Sequence, residues 1–137
     1  MKKILLVILL GLVVGSCSTE DDVSEKTTNH DIVFSVSSTD NSRLSNIDFN
    51  ILGSEQEVKH SSYSNTHLPL SRTFLNHKVN MFTNLGIGYT DNSGGAVGES
   101  FEPYTVTLEI RVDTEVKAEK DITITESGQV DFVTFSF

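Results

Sequence analysis

Residues 104–112 read Tyr-Thr-Val-Thr-Leu-Glu-Ile-Arg-Val, and this stretch decides the fold. Its apolar residues occupy every second position, with Thr, Glu and Arg between them. Such alternation predicts a β-strand with one buried face and one solvent-facing face. Asp113-Thr114-Glu115 predicts a turn, and residues 116–124 complete a predicted hairpin.

The same two-residue period continues on both sides of this hairpin. It predicts strands near residues 32–36, 47–51, 57–63, 68–75, 79–89 and 130–137. Pro69 confines its strand to a sheet edge or to a strand start, because proline donates no ladder hydrogen bond. No window shows the spacing of an amphipathic helix. We therefore expect one all-β domain over residues 31–137, a β-sandwich of about seven or eight strands such as the immunoglobulin-like kind. A small closed barrel is the alternative.

Turn residues punctuate these predicted strands. Residues 38–42 and Ser127-Gly128 predict turns, and residues 91–100 predict a loop rich in Gly, Ser and Asn. The aromatic ending Phe135-Ser136-Phe137 indicates that the last strand is paired within a sheet.

The N-terminus predicts export. Lys2 and Lys3 precede an apolar run over residues 4–14, which is too short to span about 30 Å of hydrocarbon. This arrangement predicts a secretory signal peptide over residues 1–16, and a short anchor or a buried strand are the alternatives. Val14-Gly15-Ser16-Cys17 resembles a bacterial lipobox, which implies cleavage before Cys17 and acylation of Cys17 by palmitate-type chains. Two or three acyl chains hold a protein on a bilayer, so the membrane is an expected partner.

Residues 17–30 predict a flexible tether with a reach of about 20 Å. Glu20, Asp21 and Asp22 resemble the export signal of Bacteroidota lipoproteins, which implies the cell-surface side of the outer membrane. An ordinary acidic linker, with the domain in the periplasm, is the alternative.

Charge and cysteine content exclude several classes of protein. The chain has ten basic and nineteen acidic residues; without Lys2 and Lys3, eight basic residues remain and the net charge becomes −11. Such a surface repels nucleic acid and anionic lipid head groups. Cys17 is the only cysteine, which excludes an intrachain disulfide or a cysteine metal site.

Three segments in order resemble the MmpS-like family of small membrane-anchored β-sandwich proteins. They are Ile47-Asp48-Phe49-Asn50 with Gly53, then residues 68–74 (Leu-Pro-Leu-Ser-Arg-Thr-Phe), then residues 104–120. The resemblance implies the same fold, no catalytic residues and an accessory role beside lipid exporters. Thr114 stands where the family has Gly, and a β-branched residue resists positive φ, so we expect a turn longer than two residues.

Catalytic, cofactor and metal motifs are missing. His30, His60, His67 and His77 lack zinc-ligand spacing, so we interpret them as solvated or loop residues. Asp91-Asn92-Ser93-Gly94 lacks the later Glu of a calcium loop and predicts a turn. Gly86-Ile87-Gly88 is not a dinucleotide fingerprint and indicates a β-bulge or a close backbone approach. Scattered carboxylates, Glu109, Glu119 and Asp131 among them, are expected on solvent faces or at strand ends.

Aromatic residues offer one candidate binding surface. Tyr63, Tyr89, Tyr104 and Phe101 would form a platform for a sugar or a peptide if they were exposed. The alternation around Tyr104 instead favours the core for Tyr104, with Phe101 as its neighbour.

We therefore expect a lipid-anchored, non-enzymatic binding or accessory module of the cell envelope, with a protein or glycan partner. An exporter accessory protein is the second hypothesis, and a hydrolase with an unrecognised site is the third.

Overall fold

The computed structural model describes residues 26–53, 58–94 and 100–137. The predicted signal peptide, Cys17 and the Glu20–Asp22 cluster lie outside these residues. Eight β-strands form in the described chain: β1 Thr28–Ser38, β2 Leu44–Leu52, β3 Lys59–His67, β4 Leu70–Val79, β5 Asn84–Asp91, β6 Tyr104–Val112, β7 Glu115–Ile124 and β8 Val130–Ser136.

The strands make two antiparallel sheets of four strands each, which confirms the predicted all-β sandwich. The first sheet has the order β4-β1-β6-β7, and the second has the order β3-β2-β5-β8. The chain changes sheets between β1 and β2, β3 and β4, β4 and β5, β5 and β6, and β7 and β8. As predicted, β4 follows Pro69 and lies at a sheet edge, and the last strand is paired, with β5.

The core lies between the two sheets and takes the alternate residues of each strand. Phe34 of the first sheet stacks on Phe49 of the second, with ring centroids 5.3 Å apart. In β6 the buried residues are the apolar set predicted from the alternation. Burial of such side chains contributes about 1.5–3 kcal/mol each. The buried apolar set is Ile32, Phe34, Val36, Ile47, Phe49, Ile51, Leu68, Val79, Leu85, Ile87, Tyr89, Tyr104, Val106, Leu108, Ile110, Val112, Ile122 and Ile124.

One predicted strand is two elements. The prediction carried a single strand from Val79 through Leu85, but residues 80–83 form a turn between β4 and β5. The Asn80 side-chain oxygen accepts a hydrogen bond from the Phe82 N–H at 3.0 Å, and the Thr83 N–H donates to the Asn80 carbonyl at 3.0 Å. Thr83 is buried like Val79 and Leu85, but the turn breaks the two-residue burial pattern, because Asn80 is buried and Met81 is exposed.

The predicted long turn between β6 and β7 is also wrong. Val112 pairs with Glu115, which leaves only Asp113 and Thr114 in the turn. Asp113 takes the positive φ, 55°, so the β-branched Thr114 avoids it. A register shift after Ile110 leaves Lys117 as an extra residue, a β-bulge that absorbs the remaining twist.

Two further bulges have the same backbone conformation and the same kind of hydrogen bond. Asn76 bulges from β4 opposite Asp31, and Asn65 bulges from β3 opposite Asn46. Both bulged asparagines have a φ of 51°, and each donates its N–H to the side-chain oxygen opposite, at 2.7 Å for Asn76 and 2.9 Å for Asn65. Asparagine tolerates this left-handed conformation, which explains the residue at both positions.

Candidate functional site

A groove runs over the outer face of the second sheet. Gly86 pairs with Asn50 on one side and Thr134 on the other, and Gly88 pairs with Asp48 and Phe132. Alternation turns these residues outward, because Leu85, Ile87 and Tyr89 point into the core. Two adjacent outward positions of β5 therefore carry no side chain. The resulting groove has a volume of about 260 Å³.

Packing does not require either glycine. A Cβ at Gly86 would lie 3.8 Å from Thr134 Cγ2, and one at Gly88 would lie 3.6 Å from Asp48 Cβ, both ordinary contacts. Neither residue has a positive φ. β5 pairs in continuous register with β2 and β8, so the expected bulge or close backbone approach at Gly86-Ile87-Gly88 is wrong. The glycines lower the floor of the groove.

An aromatic ring stands beside this floor. Phe132 is 65% exposed, and the Lys120 Nζ lies 5.9 Å from its ring centroid. Leu52 is exposed at one end of the groove. Contiguous exposed apolar surface with polar residues at its rim is typical of binding sites.

Polar residues cover the sheet face next to the groove, on the side opposite Phe132. Asp48 accepts hydrogen bonds from the Ser62 hydroxyl and from His60 Nε2, the latter at 3.2 Å. Asn50 is the outward neighbour of Gly86 and lines the groove. The face therefore passes from an aromatic side to a side of carboxylate, amide, imidazole and hydroxyl groups.

A second cleft, of about 490 Å³, lies where β1 begins. The Asp113 carboxylate accepts a hydrogen bond from the Asp31 N–H at 3.0 Å and lies 2.8 Å from His30 Nδ1. These bonds, with that to His30 first, lower the pKa of Asp113. His30 also packs on Phe137, with ring centroids 5.4 Å apart. The polar groups here bond one another and join β1 to the β6–β7 turn, which is a structural role.

The predicted tyrosine platform is wrong for two of its members. Tyr89 is 1% exposed and Tyr104 is 6% exposed, so both belong to the core. Phe101 packs on Tyr104 with centroids 6.1 Å apart, which confirms the alternative, and Tyr63 is half-buried against Phe49.

The two buried tyrosines belong to a polar network around Asp91. The Tyr104 hydroxyl donates to Asp91 Oδ1 at 2.5 Å, and the hydroxyls of Tyr89 and Tyr104 are 2.6 Å apart. Asp91 Oδ2 accepts from the Ser93 hydroxyl at 2.9 Å and from the Gly128 N–H at 3.3 Å. Burial, with the bond to Asp91, raises the pKa of Tyr104 far above its ordinary value of 10.0. Asp91 therefore fastens two loops to the core.

The remaining candidate residues are dispersed. His60 lies on β3 beside Asp48, and His67 ends that strand. The interpretation as a solvated or loop residue is wrong for His77, which is buried in β4 near Phe74, with ring centroids 6.3 Å apart. Over residues 26–53, 58–94 and 100–137, no three His, Cys, Asp or Glu side chains are grouped as metal ligands.

The carboxylates named from the sequence are ion-paired in two of three cases. Glu109 pairs with Arg111, and Asp131 pairs with Lys120 at 2.5 Å. Asp131 is the second residue of β8, so it lies at a strand end as expected, and its pair with Lys120 joins β8 to β7. Glu119 is exposed opposite Glu109.

The described part of the chain contains no helix with the length and apolarity needed to cross a membrane. No protein-family model matches this chain, no curated protein matches it in sequence, and no solved structure matches it.

Proposed function

We propose that this protein is a lipid-anchored, non-enzymatic binding module of the cell envelope, and that it binds a glycan in the groove over Gly86 and Gly88. The observation that carries this proposal is the glycine floor beside an exposed aromatic ring. Sugar rings present an apolar face of C–H groups, which stacks on aromatic side chains, and a rim of hydroxyls, which pair with amides and carboxylates. Phe132 supplies the first kind of surface, and Asn50 and Asp48 supply the second.

Anchoring is proposed from the lipobox-like Val14–Cys17 segment and the single cysteine. The acidic cluster Glu20–Asp22 supports location at the outer membrane, facing the exterior. Protease shaving of intact and permeabilised cells tests this: digestion in intact cells is expected. Protection until the outer membrane is opened would place the domain in the periplasm.

Glycan binding is tested with a groove-filling substitution. Gly86→Val places two methyl groups on the groove floor at a position where a Cβ makes only ordinary contacts, so the variant is expected to fold. We expect the wild-type mature protein to bind members of a bacterial and host glycan array, and Gly86→Val and Phe132→Ala to weaken that binding about tenfold or more.

Ser37→Val is the matched control, because Ser37 is exposed on the outer face of the first sheet. Equal affinity of Gly86→Val and the wild type would refute the groove as the site. Turnover of any glycan, ester or peptide by the purified protein would refute a non-enzymatic role.

An exporter accessory role is the second proposal. It is supported only by the sequence resemblance of residues 47–53, 68–74 and 104–120 to the MmpS-like family. Cross-linking in native membranes is expected to recover a transporter. Recovery of none would contradict this role and leave the glycan proposal intact.

A further inference from the structure

The end of the sandwich at which β1 begins, called here the tether end, carries an exposed apolar turn. Thr28, the first residue of β1, pairs with Val79, and the turn over residues 80–83 follows directly. This turn crosses from the first sheet to the second, so it caps the end of the sandwich. Met81 is 63% exposed and Phe82 is 50% exposed at its tip.

The turn holds these two side chains outward. Asn80 and Thr83 are buried and bonded to each other, with the Thr83 hydroxyl 3.2 Å from the Asn80 side-chain oxygen. The residues between them therefore point away from the core. Leu52, which pairs with Asn84, and Val58, which precedes β3, are also exposed at this end. Four large apolar side chains thus share one end of the domain.

Charge is distributed unevenly between the two ends. Of the eight basic residues that the structure describes, four lie at the tether end: Lys26, Lys59, Lys78 and Lys117. The acidic side chains described there are already bonded: Asp31 to Asn76, Asp113 to His30 and Glu115 to Lys117. The far end has Arg43 with four acidic residues, Asp40, Asp91, Glu102 and Glu126. Among the residues that the structure describes, the tether end therefore has more basic than acidic side chains, and the far end has more acidic than basic ones.

The preceding chain limits how far this end can be from a membrane. Nine residue steps separate Cys17 from Lys26, and a fully extended chain of that length spans at most about 32 Å. A lipid anchor on Cys17 would keep the turn at a high local concentration near the bilayer. Under that condition, weak insertion by a few side chains is enough for docking.

We infer that the tether end docks on the lipid bilayer, with Met81 and Phe82 inserted at the boundary between head groups and acyl chains. Exposed aromatic and aliphatic residues with lysines around them suit this interface. The inference rests on the lipid anchoring proposed above. It sets the orientation of the domain, with the strands rising from the membrane and the far end pointing away.

The chain has no tryptophan, so one introduced tryptophan reports on one place. The lipidated protein is reconstituted into vesicles of acyl-brominated phosphatidylcholine, whose bromines quench tryptophan within the bilayer. Phe82→Trp reports on the tether end, and Glu126→Trp, in the exposed turn between β7 and β8, is the matched reporter at the far end. We expect the Phe82→Trp variant to be quenched about twofold or more relative to the Glu126→Trp variant. Adding Met81→Asp to Phe82→Trp should reduce the quenching to the level of Glu126→Trp.

Flotation of the same vesicles separates the two proposals. A protein that floats with the vesicles but shows equal quenching of both reporters overturns the docking inference and leaves the anchor standing. A protein that does not float overturns the anchor, and docking with it. Circular dichroism confirms that each variant is folded before it is scored.

Discussion

Replacing Tyr104 by Phe removes one hydroxyl from the centre of the Asp91 network. That hydroxyl donates to Asp91 Oδ1 at 2.5 Å and lies 2.6 Å from the Tyr89 hydroxyl. A hydrogen bond to a buried carboxylate is worth about 1.5–3 kcal/mol, and the loss of a neutral partner for Tyr89 adds about 1 kcal/mol. We therefore expect Tyr104→Phe to lower the free energy of unfolding by about 2.5–4 kcal/mol.

Tyr89→Phe should cost less. Its hydroxyl bonds only neutral groups, Tyr104 and Ser45, the latter at 3.3 Å. We expect a loss of about 1 kcal/mol for this variant. The double variant should lose less than the sum of the two single losses, because both single changes remove the same bond between the hydroxyls.

Urea denaturation of the mature chain, followed by far-ultraviolet circular dichroism, measures these changes. The dependence of the unfolding free energy on urea should stay constant, since neither variant changes the surface exposed on unfolding. Glu126→Gln is the control, because Glu126 is exposed, and it should change stability by less than about 0.5 kcal/mol. A loss below about 0.5 kcal/mol for Tyr104→Phe would refute the reasoning that this network holds the far end together.

Three other predictions follow from the pKa shifts and from the anchor. Folding raises the pKa of Tyr104, so its contribution to stability is complete below its ordinary pKa of 10.0 and is lost as the pH rises above that value. In urea titrations between neutral pH and about pH 11, Tyr104→Phe should therefore lose less stability with rising pH than the wild type does. Hydrogen bonds lower the pKa of Asp113 and Asp131 below 3.8, so the stability that these carboxylates contribute is present above that value and is lost as the pH falls below it. The melting temperature should therefore decline from about pH 4 downward. An unchanged melting temperature down to pH 2 would contradict this prediction. Cys17→Ala should leave the protein uncut or soluble when membranes are fractionated, and membrane retention of a processed form would rule out the lipobox.

The sequence predicted those strands that have one apolar, buried face and one polar, exposed face. β6 was predicted with its observed bounds, because its outward residues are polar and its inward residues are apolar throughout. The turn over residues 80–83 was not predicted, because Val79, Thr83 and Leu85 are separated by even numbers of residues, as the inward residues of one continuous strand would be. Only the hydrogen bonds of Asn80, which depend on the folded chain, distinguish that turn from a strand.

The groove was not predictable from the sequence for a different reason. It combines residues from β2, β5 and β8, and their proximity depends on the strand order of the second sheet. The exposure of Phe132 could not be predicted, because β8 has apolar residues on both faces and its sequence does not indicate which face is buried. The available signal was the pair Gly86 and Gly88, which lie two residues apart and so remove side chains from a single face.

The asparagine bulges bear on how copies of this protein would coexist on a membrane if the proposed lipid anchor holds them there. Asn65 and Asn76 interrupt β3 and β4, and both of these strands are sheet edges. An edge strand that is interrupted by a bulge is a poor template for a strand from another molecule. Anchored proteins share a two-dimensional surface where neighbours collide repeatedly and in similar orientations. If the proposed anchor holds, two of the four sheet edges, β3 and β4, would therefore resist strand addition between neighbouring copies.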